Sequence, residues 1–137
     1  MKKLITLSVA VLLFTLSSQA QRFGTTKGRD NTGRALTYAV LAPAYSATVT
    51  VAPSNYQTII KPATLTGACT INATETNSKY CDIIRFIFTS DTTGRVVTFG
   101  TNFVSAGTLT LVASKQATAT FIYDGANYVE LSRAIQP

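Results

Sequence analysis

Short runs in which threonine alternates with an apolar residue recur along this chain, and they constrain its fold more than any other feature. Thr108 and Thr110 alternate with Leu109 and Leu111, and further on Thr118 and Thr120 alternate with Ala119 and Phe121. A period of two puts one residue type on each face of a strand, so one face can meet a core and the other water. Thr occurs 23 times in 137 residues, and its β-branched side chain suits a pleated surface better than a helix. Strands are expected at residues 36–41, 47–52, 57–60, 69–71, 82–89, 96–99, 108–112, 117–123 and 128–132. Residues 36–44 also suit a short helix, which Ala and Leu favour. Pro43, Pro53 and Pro62 fall between the runs, where a missing backbone donor does a sheet least harm. Residues 90–94 (SDTTG) and the stretch Asp124-Gly125-Ala126-Asn127 carry the turn chemistry of hairpins. Eight or nine short strands joined by short turns predict an all-β domain, a compact β-sandwich or a jelly-roll-like fold.

The run DIIRFIFT at residues 82–89 is the most hydrophobic of these strands. Ile84, Phe86 and Phe88 form one face; Ile83, Arg85 and Ile87 form the other. A strand apolar on both sides with a single Arg suits the middle of a sandwich, or a sheet whose outer face is covered by another subunit.

The N-terminus carries an export signal. Lys2 and Lys3 precede an apolar run at residues 4–16, and Ser18-Gln19-Ala20 supplies the small residues a signal peptidase accepts, so cleavage is expected after Ala20. The run is shorter than the ~20 apolar residues a spanning helix needs, and no stable membrane span is expected after cleavage. Residues 21–34 (QRFGTTKGRDNTGR) hold three Gly and almost nothing apolar, which reads as a flexible basic arm. One all-β domain at residues 35–137 follows. The whole chain has 12 Lys+Arg against 6 Asp+Glu, and losing Lys2 and Lys3 leaves a net charge of +4. Four of the basic residues, Arg22, Lys27, Arg29 and Arg34, sit in the arm and suit docking onto a partner. With Phe23 as the arm's one aromatic, no nucleic-acid partner is expected.

Cys69 and Cys81 are the only cysteines. Export into an oxidising compartment predicts that they pair across a polar loop, a bond worth about 3 kcal/mol for so short a loop in the chain-entropy account. The chain has no His, so neither a zinc site nor a Ser-His-Asp or Cys-His arrangement is expected, and no cofactor is implied. Asp124 and Glu130 flank the last hairpin as a conceivable glycosidase pair, but the Asp-Gly turn already accounts for Asp124. No catalytic residue is assigned. Tyr45, Tyr56, Tyr80 and Tyr128 sit at strand ends or loops, where an amphipathic ring suits a glycan or protein partner.

The C-terminal third carries a recognisable order of motifs. It holds Val97, Thr98, Phe99 and Gly100; then Gly107, Thr108, Leu109, Thr110 and Leu111; then Thr120, Phe121, Ile122, Tyr123, Asp124 and Gly125; and finally Tyr128, Val129, Glu130, Leu131, Ser132 and Arg133. This order resembles the strand repeat that closes many bacteriophage tail-fibre, head-fibre and other virion surface proteins. The resemblance implies a non-enzymatic fibre, spike or decoration subunit. It further implies assembly as a homotrimer and contact with a glycan or cell-surface receptor. The export signal supports a second reading, a secreted subunit of a bacterial extracellular filament or surface layer. In that reading the segment from Gln21 to about Thr50 would be donated to a neighbour's sheet, with Leu36, Tyr38, Val40 and residues 48–51 as the donated strand. Either way the protein is expected outside the cell or on a virion surface.

Overall fold

The computed structural model describes residues 37–137. The expected signal peptide, and the arm with Arg22, Lys27, Arg29 and Arg34, lie outside the described residues. Ten short strands and no helix make up the described chain: β1 (Tyr38–Leu41), β2 (Thr48–Val51), β3 (Gln57–Ile60), β4 (Cys69–Ala73), β5 (Ile83–Thr89), β6 (Val96–Phe99), β7 (Phe103–Val104), β8 (Leu109–Thr110), β9 (Gln116–Tyr123) and β10 (Tyr128–Ile135). Nine of them lie where the alternation places strands. The two-residue β7 is additional, and β10 runs past the expected end.

The strands are not arranged as the expected sandwich or jelly roll. β1, β3 and β5 pair in parallel within a six-stranded sheet of order β1-β3-β5-β9-β10-β7, and β2, β4 and β6 pair in parallel within a four-stranded sheet of order β2-β4-β6-β8. Successive strands from β1 to β6 therefore alternate between the two sheets, and the chain winds like a solenoid, each coil giving one strand to each sheet.

The connections show why hairpins do not form here. Residues 90–94, expected as a hairpin turn, instead carry the chain from β5 in the first sheet to β6 in the second. Asp91 braces this corner, accepting the Arg95 Nε–H at 2.8 Å and the Thr93 N–H at 3.0 Å. At an earlier corner the parallel pairing continues past the strands, with Lys61 N–H donating to Leu41 O and Ala63 N–H to Pro43 O. Pro43 is asked only for its carbonyl, the one backbone group it can offer.

Winding stops where antiparallel pairing begins. β9 runs antiparallel to β5, β10 antiparallel to β9, and β8 antiparallel to β6. The turn between β9 and β10 forms as its residues dictate. Asp124 Oδ1 accepts the N–H groups of Ala126 and Asn127 at 2.8 and 2.7 Å, and Gly125 takes φ +101°, a conformation disfavoured for residues with a Cβ.

Between the sheets lies one core, built from the inward rows of both. Ile84, Phe86 and Phe88 of β5 are fully buried, as their face of the strand predicts. Phe86 stacks on Phe88 with centroids 5.3 Å apart and meets Phe99 of the opposite sheet at 5.7 Å, while Phe99 meets Phe121 at 4.7 Å. These ring pairs cross the gap and tie the sheets together. Thr58 of β3 also points inward, and its buried hydroxyl has no hydrogen-bond partner.

The expected Cys69–Cys81 disulfide is absent, and both residues are free thiols. Cys69 opens β4 in the second sheet with its side chain buried in the core, and that burial raises its thiol pKa. Cys81 lies in the turn leading into β5 of the first sheet, with φ 70°. Hydrogen bonds hold the polar loop that seemed to need a covalent tie. Lys79 N–H donates to Asp82 Oδ2 at 2.8 Å, Asp82 N–H to Lys79 O at 2.9 Å, and Cys81 N–H to Tyr123 O at 2.9 Å; Ser78 Oγ and the Tyr128 hydroxyl are 2.5 Å apart.

Candidate functional site

The register of the first sheet lays out its outer face residue by residue. One row across the strands is Tyr38, Gln57, Ile83, Ile122 and Val129; the next is Val40, Ile59, Arg85, Thr120 and Ser132; a third is Ile87, Thr118 and Ala134. Because Thr58, Ile60, Ile84, Phe86, Ala119 and Phe121 fill the inward rows, these side chains point away from the core. Arg85 is the single charge in the three rows. Tyr38 is 74% exposed and Val40 63%, and Leu131, at the irregularity in β10, is 57% exposed. Eight of the thirteen side chains in these rows are apolar, the rest being Arg85, Gln57, Thr118, Thr120 and Ser132, and exposed apolar patches of this kind mark interaction sites.

The second sheet presents a different outer face. Thr48, Thr70 and Thr98 are paired neighbours in one row, and Thr50 pairs with Asn72 in the next. Asn72 Oδ1 accepts the Thr101 N–H at 2.8 Å. A Cβ on Gly100 would collide with that same oxygen, so the glycine of the Val97-Thr98-Phe99-Gly100 motif makes room for a neighbouring coil's side chain.

The four tyrosines singled out as contact residues separate clearly. Tyr128 is fully buried and cannot be a surface contact: its ring lies 5.1 Å from Tyr123 and 5.7 Å from Phe103. Tyr45 is half-buried against the core, with its hydroxyl donating to Ala68 O at 3.3 Å. Tyr56 and Tyr80 are exposed, Tyr80 by 73%. Tyr56 precedes β3 and its carbonyl accepts the Ile83 N–H, which sets it at the same end of the first sheet as Tyr38.

Glu130 and Arg133 form the most connected polar group in the described chain. Arg133 Nε lies 2.5 Å from Glu130 Oε1 and Nη2 lies 2.6 Å from Oε2, while the guanidinium also donates to Thr108 O, Gly107 O and Ser105 Oγ. Glu130 Oε2 further accepts from Ser105 Oγ and Ala106 N, both at 3.0 Å. The Arg133 hydrogen bond, aided by those from Ala106 and Ser105, lowers the Glu130 pKa to about 2. Asp124 is likewise lowered, by the Asn127 and Ala126 amides. Each carboxylate is thus held as an anion by structural partners, and neither is poised as a proton donor. The pair fastens loop 105–108 to β10 beside an open groove of about 460 Å³ whose walls include Val104, Val129 and Leu131. Sequence reasoning missed this clamp, although the motif residues Gly107, Thr108, Glu130 and Arg133 are the ones it joins.

Among the described residues no cluster of His, Cys, Asp and Glu could hold a metal ion, and no helix is long and apolar enough to cross a membrane. Comparison with known protein families and with curated proteins finds no match for this chain.

Proposed function

We propose that this chain is a non-enzymatic structural subunit of a surface assembly, built from copies of itself and working outside the cell or on a virion. The observation that carries the reading is the outer face of the six-stranded sheet, where eight of the thirteen side chains in three rows are apolar and Arg85 is the only charge. From strand spacing and rise, this face measures roughly 25 Å by 20 Å, ~500 Å² of footprint. That is a large part of the ~800 Å² per partner in a stable interface. The likeness of its C-terminal motifs to virion fibre proteins supports the same role and implies three copies. Exposed Tyr56 and Tyr80 are the tyrosines suited to a glycan or receptor.

A second reading, a bacterial filament subunit that donates a strand, now has a narrower form. β1 and β2 pair with β3 and β4 of their own chain, so a donated segment would come from upstream of Thr37.

Sedimentation equilibrium of the mature chain tests the proposal, with an oligomer expected. Ile59→Lys, on the outer face of β3, should weaken that oligomer while leaving the fold intact. A monomer at every concentration would sink the assembly role.

A further inference from the structure

The two ends of the solenoid are finished differently. At the C-terminal end, winding stops at antiparallel strands in both sheets, the final edge strand β7 has only two residues, β10 carries an irregularity at residues 130–132, and Arg133 takes up the carbonyls of Gly107 and Thr108. These are the devices by which sheets avoid edge-to-edge association. At the other end, among the described residues, the first coil presents β1 as the edge of one sheet and β2 as the edge of the other. Neither strand, YAVL or TVTV, has a charge, a proline or a bulge.

Among the described residues nothing pairs with the outer backbone of either strand. Leu41 O and Thr37 O accept from Lys61 and Gln57, so Tyr38 and Val40 direct their N–H and C=O groups away from β3. Ala47 O and Val51 O accept from Thr70 and Thr74, so Thr48 and Thr50 likewise point away from β4.

Another coil from upstream would not fit this end. β1 pairs with β3 at a spacing of 19 residues (Tyr38 to Gln57), and β2 with β4 at a spacing of 22 (Thr48 to Thr70). The spacing is not fixed, rising to 26 and 28 at the next pairings, but in any register residues 21–34 offer Phe23 as their one large apolar side chain among Arg22, Lys27, Arg29, Arg34, glycines and polar residues. A coil built from them would set cations and other polar groups in the core, at a prohibitive desolvation cost.

We propose that this end is occupied by the same end of a second copy, β1 and β2 of each chain pairing across a two-fold axis so that both sheets run on from one chain into the next. The inference rests on the assembly reading but uses a different surface from the outer face, so both contacts can operate in one particle. An isologous contact of this kind satisfies both open edges at once and leaves none over.

The mature chain and its Val40→Pro/Thr50→Pro variant decide the matter. At both positions the N–H lies on the open side, so proline removes a donor from the contact and none from the β3 or β4 pairing. The variant should keep the circular dichroism of the wild type while its sedimenting mass falls by half, because each two-fold contact joins two equal parts. In the assembled wild type, the amides of Tyr38, Val40, Thr48 and Thr50 should be protected from hydrogen exchange and should lose that protection on dilution to the monomer. Unchanged mass in a folded variant would overturn the end-to-end contact while the assembly role stands. So would rapid exchange of the four amides in the assembled wild type, a result that does not depend on the variant folding. A wild-type monomer at all concentrations would overturn both.

Discussion

Replacing Glu130 by Gln should weaken the domain measurably and change how its stability depends on pH. The Glu130 carboxyl falls from an ordinary 4.5 to about 2, which at ~1.4 kcal/mol per unit sets an upper value of about 3 kcal/mol. The Glu130 side chain is 9% exposed and Arg133 24%, so water screens part of this, and about 2 kcal/mol at neutral pH is the expected cost of E130Q. Because the folded-state pKa lies below the unfolded one, the carboxylate stabilises fully above ~4.5, and that contribution drains away as pH falls towards ~2. Urea unfolding of both proteins at several pH values between 7 and 2 reads this directly. The two stabilities should differ at pH 7 and converge in acid. A difference below ~0.5 kcal/mol at pH 7, or one of constant size across the range, would refute the view that this ion pair holds loop 105–108.

Thr58→Val should raise stability by about 1 kcal/mol in the same assay, since it removes a buried hydroxyl without a partner and keeps the branched shape. Gly100→Ala should cost about 1–3 kcal/mol by forcing aside the Asn72 amide that bonds Thr101. Unfolded, unreduced protein should titrate two thiols per chain, and in the native protein iodoacetamide should modify half-exposed Cys81 well before buried Cys69.

The alternation of Thr with apolar residues made the strands legible because burial on one face imposes it directly. It could not tell which strand lies beside which, since side chains alternate between the two faces of any strand, whichever way its neighbours run. One clue to the winding was present: Leu41-Ala42-Pro43-Ala44 recurs as Ile60-Lys61-Pro62-Ala63, aligned by the β1–β3 register. The third coil has Phe86-Ile87-Phe88-Thr89 there, so the period fades after two copies. The two-faced character of β5 pointed correctly to a central strand with an apolar outer side. Tyr128 was misjudged as a surface residue because its position after a turn says nothing of the pocket formed by Phe103 and Tyr123. The Glu130–Arg133 clamp was hidden by geometry. Residues three apart on a regular strand face opposite ways, and only the irregularity in β10 between Glu130 and Ser132 brings these two to one side.

Winding through two sheets also sets the order in which the chain can form. The C-terminal strands β9 and β10 meet across a four-residue turn, the shortest loop closure among the described residues, whereas the earlier coils must close 19 to 28 residues before they gain a neighbour. Folding should therefore start at the C-terminal hairpin with β5 and grow coil by coil towards Tyr38. The first coil, stacked on one side only among the described residues, is then expected to form last and fray first. In the end-to-end assembly proposed above, a subunit of this design would complete its own folding on contact, its last strands set in place by the partner that needs them.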